Sequence, residues 1–476
     1  MQQMFFRRFG NWGKWTSRAV FLGMAIGLGL GTAIAAENKP AASSGTVPSA
    51  ESSGTNGPAD WTRFRGPHCD GQSPETGLLK TWPEEGPKLL WTMQGLGRGY
   101  SSVTIAGGKL FTTGDRPDPN GGQSQSQYVI AFDLASRKEL WSVRIGPPHP
   151  DGGCRSTPTI DGRLAFVIGT DGDLVCVETA TGRVRWRKSF PNDFGGRMMS
   201  IWKYSESPLV DGDKVVCTPG GPDAAMVALN KHTGQLIWKC AVPPLGPRGA
   251  DGAGYTSMVA AQIEGVRQYI TIIGRGAIGV AADDGRFLWG YNRIANRVAN
   301  IPTPIVRDNY VFVTTSYETG SALVRIVRDG EKFRAEEVWF NTHKDFENHH
   351  GGVVLVGDYL YGGSGRNRGI PVCLEFLTGK VVWRAEPVGQ RSAAVLYADG
   401  HLIFRYEDGQ VALIEATPEG FRLKGKFMAP VRNGPSWPHP VIHDGKLYLR
   451  SHDSLMCFDL KNSVPSAVSR RRTAGC

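Results

Sequence analysis

The stretch ALNKHTGQLIW, residues 228–238, decides the fold. A short apolar strand runs into a Thr-Gly turn, and a second strand leaves the turn and ends in tryptophan. CVETATGRVRW (176–186), CLEFLTGKVVW (373–383), AFDLASRKELW (131–141) and VAADDGRFLW (280–289) carry the same pattern with substitutions. Trp91, Trp141, Trp186, Trp238, Trp289, Trp339 and Trp383 follow one another at intervals of 50, 45, 52, 51, 50 and 44 residues. A repeat of this period is one supersecondary unit that cannot bury its apolar face alone, so the units must stack on each other.

Each unit reads as four short strands. In the second, STPTI, RLAFVIGT, DLVCVET and RVRWRKS are separated by Asp161-Gly162, Asp171-Gly172 and Thr181-Gly182. Apolar alternation broken by such pairs is a hairpin signal. The first turn recurs at Gly107-Gly108, Asp211-Gly212, Glu264-Gly265, Asp308-Asn309, Gly357-Asp358, Asp399-Gly400 and Asp444-Gly445, which implies eight sheets. The last unit, His439 to Lys461, stops before its tryptophan strand, and KLLWTM (88–93) near the other end supplies one. The expected fold is therefore all-β: an eight-bladed propeller over residues 61–461, its last blade closed by an N-terminal strand. Unit seven carries Phe427 where tryptophan is expected. The tryptophans read as rivets, each packing on the neighbouring blade's Ala/Cys position and Thr-Gly turn. Cys176, Cys373 and Cys457 share that small, buried position, whereas Cys69, Cys154, Cys217, Cys240 and Cys476 are left for disulfides that spacing cannot pair.

Residues 1–35 read as a secretory signal. Arg7, Arg8, Lys14 and Arg18 precede an apolar run from Ala19 to Ile34, and Ala33-Ile34-Ala35 suits cleavage. Arg7-Arg8 leaves both the general and the twin-arginine export routes open. With no cysteine after the cleavage region, the mature N-terminus is expected to be free of lipid, and the mature chain to lack a membrane span. Residues 36–60 form a Ser/Gly/Pro/Ala-rich linker and residues 462–476 a basic tail. The formal charge of +10 falls to about +2 for the body once leader and tail are set aside, which argues against nucleic acid as a partner. A periplasmic or secreted monomer is the expectation.

The pattern A-x-D-x-x-T-G-x-x-x-W resembles the tryptophan-docking repeat of the pyrroloquinoline-quinone (PQQ) propellers, over nearly the whole mature chain. That family holds quinoprotein alcohol dehydrogenases and also non-catalytic members such as the propeller lipoprotein BamB. For the enzymes the resemblance implies PQQ with Ca²⁺, an adjacent cysteine pair over the quinone, a Glu/Asn/Asp set on the metal and a catalytic aspartate. This sequence has neither the adjacent cysteine pair nor a CxxCH haem motif.

The loops leading into the innermost strands lie near the mouth of a propeller's channel. Among them are CRSTP (154–158), KYSESP (203–208), NRVANIP (296–302), NHHGG (348–352), GQRSA (389–393) and PSWPHP (435–440). In this register Arg155, Lys203, Glu206, Asn300, His350, Arg391 and Trp437 ring one pocket, with Glu206 as the candidate base and the other six as binding residues. The cations suit an anion such as a quinone tricarboxylate or an acidic sugar, and Trp437 suits a planar ring. No metal site is expected from His349-His350, because adjacent residues on an extended chain face opposite ways. One of the two is expected to cap the Gly351-Gly352 turn and the other to face the channel. The first functional reading is a binding or scaffold propeller for envelope or secreted proteins; a quinoprotein-type oxidoreductase on an alcohol or sugar, and a glycan binder, are the alternatives.

Overall fold

The computed structural model describes residues 60–118 and 125–461. The signal segment, nearly all of the linker, the basic tail and Cys476 lie outside these residues. Eight antiparallel sheets follow one another along the chain. Blade one, for example, comprises Thr104–Ala106, Lys109–Pro117, Gln125–Asp133 and Glu139–Gly146, and blade two Thr159–Asp161, Leu164–Ile168, Asp173–Glu178 and Val184–Ser189. Blade eight takes its outer strand from Leu89–Met93, which pairs with Ser454–Asp459 and sets Trp91 opposite Cys457. This is the closure expected from the sequence, and it leaves the ring without an open edge.

The repeat has one mechanical cause. In each tryptophan-bearing blade a β-bulge falls just before the tryptophan, which then pairs with a small residue in most blades: Ala131, Cys176, Ala228, Gly279 or Cys373. The bulge twists the outer strand and aims the indole at the next blade. There Trp141, Trp186, Trp238, Trp339 and Trp383 donate Nε1–H to the carbonyls of Thr179, Lys231, Ala282, Phe376 and Thr417 at 2.8–3.2 Å. The turn glycine lies flat under the ring. A Cβ on Gly234, at φ +72°, would come within 2.7 Å of Trp186. Blade one has Ser-Arg in place of Thr-Gly, and Arg137 adopts φ 61° there with its guanidinium 5.6 Å from the centre of the Trp91 ring.

Two expectations need correction. Trp289 bonds inside its own blade, to Gln268 Oε1 at 2.8 Å. The next blade has no Thr-Gly turn to receive it, because its outer hairpin is the long pair Gly320–Asp329 and Lys332–Thr342. In blade seven the register places Gly425, not Phe427, at the tryptophan position. Trp82 of the N-terminal segment lies over that glycine, with its backbone N–H on Lys424 O at 2.9 Å and its ring edge-on to Phe427 at 5.5 Å.

The seven described cysteines are buried and free. Cys176, Cys373 and Cys457 are fully buried in the packing position assigned to them, and burial pushes each thiol up to about 12.

At the inner rim a second system links blades. The backbone N–H of Ser102 meets Thr157 Oγ1, that of Thr157 meets Ser207 Oγ, and that of Ser207 meets Ser257 Oγ, each at 3.0 Å. Among the described residues no helix is long and apolar enough to cross a membrane.

Candidate functional site

Residues 60–73 build one wall of the site. Trp61 pairs with Ile105 of blade one and Thr62 O accepts from Ile160 of blade two. Gln72–Ser73 then lies parallel to the inner strand of blade seven. Between these anchors Phe64 and Arg65 reach a cavity of about 390 Å³, which the lead-in loops of blades one to eight also line.

Arg65 is 3% exposed and at φ 62°. Its Nη2 donates to Val353 O at 2.6 Å and Asp70 O at 3.1 Å, while Nε and Nη1 have no partner. Burial lowers its pKa, but a guanidinium is not deprotonated in proteins. Gly352 makes room for it, since a Cβ there would meet Nη1.

Of the seven sequence-predicted residues, Arg155, His350, Arg391 and Trp437 line this cavity. Arg155 stands 5.6 Å over the Tyr100 ring and bonds His149 Nε2 and, at 3.0 Å, Asp151 O. Arg391 pairs with Glu407 at 3.2 Å. Trp437 packs on Tyr100 at 4.3 Å and on His350 at 5.4 Å, and His350 packs on His349 at 4.4 Å. Neither Trp437 Nε1 nor His350 Nε2 has a hydrogen-bond partner.

The other three lie elsewhere. Lys203 turns outward to Asp171 at 2.8 Å. Glu206 is 1% exposed behind the wall, where its Oε2 accepts from Thr218 N and Oγ1 at 2.9 and 2.5 Å; Oε1 has no partner. Burial raises its pKa to about 8. Asn300 is fully buried and holds its own loop through Ile273 O at 2.9 Å and Asn296 N at 3.2 Å. The sequence placed all three on mouth loops, but the side chains of two turn into the wall and that of the third turns out to solvent.

Sequence reasoning missed Arg65, Phe64 and Arg366, because the first two lie before the first repeat and the third lies between two strands of blade six. It assigned one member of the His349-His350 pair to the turn, whereas both reach the cavity. His349 bonds Ser392 Oγ at 2.8 Å and Tyr317 Oη at 2.9 Å. The turn backbone is held by Asn348 instead, through Gly352 N at 2.9 Å.

The histidines add no charge at neutral pH. Burial first, and nearby arginine second, lower His349 to about 4 and His439 to about 3, and burial takes His350 well below its usual range. The cavity's positive charge is therefore carried by Arg65, Arg155, Arg366 and Arg391 against the single carboxylate Glu407. Among the described residues no three His, Cys, Asp or Glu side chains gather in a metal-binding group.

The family model described as outer membrane protein assembly factor BamB matches residues 125–383 and 335–423. The fold is similar to that of BamB from Moraxella catarrhalis, with 13% identity, a TM-score of 0.57, and coverage of 78% of this chain and 99% of that one. It is also similar to the quinohemoprotein alcohol dehydrogenase from Comamonas testosteroni (12%, 0.58, 84% and 80%) and to a europium-containing methanol dehydrogenase (12%, 0.58, 83% and 90%). At these identities the likeness is one of fold. Among curated proteins none matches the chain by sequence. With the family match spanning more than half of the residues and the indole-on-glycine repeat present in successive blades, this chain belongs to the PQQ-like β-propeller family to which the BamB model gives its description.

Proposed function

We propose that this chain is an extracytoplasmic propeller that works by binding, at the cell envelope or beyond it, and that its mouth receives an anionic ligand. The observation that carries this reading is the charge balance of the cavity. Four arginines face one carboxylate, and that carboxylate is already paired with Arg391. A guanidinium presents its donors in a plane suited to carboxylate, sulfate or phosphate.

The residues do not fit Ca²⁺. That ion takes about six to eight oxygen ligands, mostly carboxylates and carbonyls, and the lining offers it Glu407 against four cations. A quinone tricarboxylate without the metal fits better. Arg155 and Arg391 would hold its carboxylates and Trp437 its ring, and when bound it would supply two-electron oxidation of an alcohol or sugar. This fit supports an oxidoreductase as the second reading.

Calorimetric titration of the exported protein with PQQ, with and without Ca²⁺, followed by a dye-linked alcohol-oxidation assay, separates the two. The binding reading expects no Ca²⁺-dependent step and no dye reduction. Stoichiometric, tight binding with dye reduction would overturn it in favour of the enzyme.

A further inference from the structure

The cavity is not uniform around the ring. On the side of blades three to five its lining is largely apolar: Trp202, Tyr255, Val298, Ile301 and Pro302. Trp202, Tyr255 and Ile301 pack with Met199, Ala299 and Tyr317 into a cluster of their own, separate from the blade cores. The rim of this arc is bare. Val298 is 40% exposed and Ile201, next to Trp202, is 79% exposed. Single exposed apolar residues are ordinary, but Val298 is one that lines a concave, apolar-walled site, as binding residues do.

A guanidinium stands at each end of the arc. Arg155 lies on the blade-two side, above Tyr100, and Arg366 on the blade-six side, 4.8 Å from the centre of the Tyr317 ring. Arg391 follows on blade seven, with a side chain 68% exposed despite its bond to Glu407. The volume of about 390 Å³ falls in the range of small-molecule pockets. A bare anion such as phosphate would leave the apolar arc wet, and a neutral apolar molecule would leave the arginines unmatched.

From this juxtaposition we infer that the cavity takes a small amphipathic anion: a carboxylate, sulfonate or phosphate headgroup against Arg366 and Arg391, with an apolar chain or ring along Trp202, Val298 and Ile301. The inference deepens the anion-binding reading above and rests on it. The occupant enters whole, as a free molecule.

Titration of the exported protein with anilinonaphthalene sulfonate, an aromatic sulfonate whose fluorescence rises on binding, tests this. The expected result is saturation at one site, with displacement by decanoate but not by glucuronate or inorganic phosphate. Arg366→Glu and Val298→Asp each alter an exposed side chain, and each should weaken binding about tenfold, the loss of one charge-assisted or apolar contact, with the melting temperature unchanged. Phosphate or glucuronate competing as well as decanoate would overturn the amphipathic assignment and leave the anion reading standing. Decanol displacing the probe as well as decanoate, or neither variant changing its affinity, would overturn both. Capture of the protein by phosphatidylglycerol vesicles without displacement by decanoate would overturn the free-ligand assignment.

Discussion

Glu206 is a carboxyl group with a fully desolvated oxygen and no cation beside it, and its proton is therefore held to about pH 8 by burial. The sign of the consequence is definite. Between its ordinary value of 4.5 and about 8 the folded chain keeps a proton that the unfolded chain has released, so stability falls as pH rises through that window. The slope due to this one group approaches about 1.4 kcal/mol per pH unit. Glu206→Gln keeps the acceptor for Thr218 and removes the titration. The variant should gain up to roughly 4 kcal/mol over the parent at pH 8 and almost nothing near pH 4.5, read from urea unfolding at the two pH values. Equal pH dependence in both proteins would show that the carboxyl is solvated. The same residue marks the limit of sequence reading at this scale. The spacing of KYSESP correctly put a glutamate on a mouth loop, but on a strand-entering loop a one-residue change of facing decides between cavity and wall, and composition does not encode it. Arg155, Arg391, His350 and Trp437 fell on the cavity side of the same ambiguity. Arg65 was illegible for another reason: its place depends on Val353, which lies 288 residues away in sequence.

At the scale of the blade, the turn glycine and the indole above it form the recurring joint. Two glycines separate its components. Gly162, φ +54°, would put a Cβ into open space, whereas Gly234, φ +72°, would put one within 2.7 Å of Trp186. Gly162→Ala should lose only the left-handed backbone cost of about 1–2 kcal/mol. Gly234→Ala should lose that and a further 1–3 kcal/mol or so, because the ring must leave its place and its bond to Lys231 O. Chemical denaturation of both variants checks the difference, and equal losses would mean that the rings follow the blades instead of joining them. This element was the most legible part of the chain, since turn chemistry, a small opposing residue and tryptophan recur together within about eleven residues. It failed where a neighbour differs. Trp289 turns back to Gln268 because the long hairpin of blade five carries its turn glycine, Gly330, out into open space, and Gly425 borrows Trp82 from a segment outside the repeat. Both outcomes are decided by a neighbouring segment, which no single copy of the motif can report.

For the whole molecule the question is what holds blade eight to blade one, since this is where the early strand Leu89–Met93 meets the last strand of the ring. Arg450, 1% exposed, is the centre of that seam. Its Nη1 donates to Ser101 O, Thr112 Oγ1 and Thr113 O at 3.0, 2.6 and 2.7 Å. Nη2 reaches Leu96 O and Gly97 O at 3.3 and 2.9 Å, and Nε reaches His452 O at 2.7 Å. Burial lowers its pKa to about 10, so the side chain remains charged at neutral pH and the carbonyls around it act as its counter-charge. It ties the segment that follows Leu89–Met93 to the first blade and the last. Arg450→Met keeps the bulk and strands several buried carbonyls, each costing about 1–3 kcal/mol unless water reaches it, so a net loss of roughly 3–5 kcal/mol is expected. The loss should also have a location. In hydrogen exchange, the amides of Leu89–Met93 should lose protection before those of the equivalent outer strand Leu236–Cys240, because strand donation is the one closure not continuous in sequence with its blade. If both strands lose protection together, the ring opens as a unit and the seam holds no special weakness.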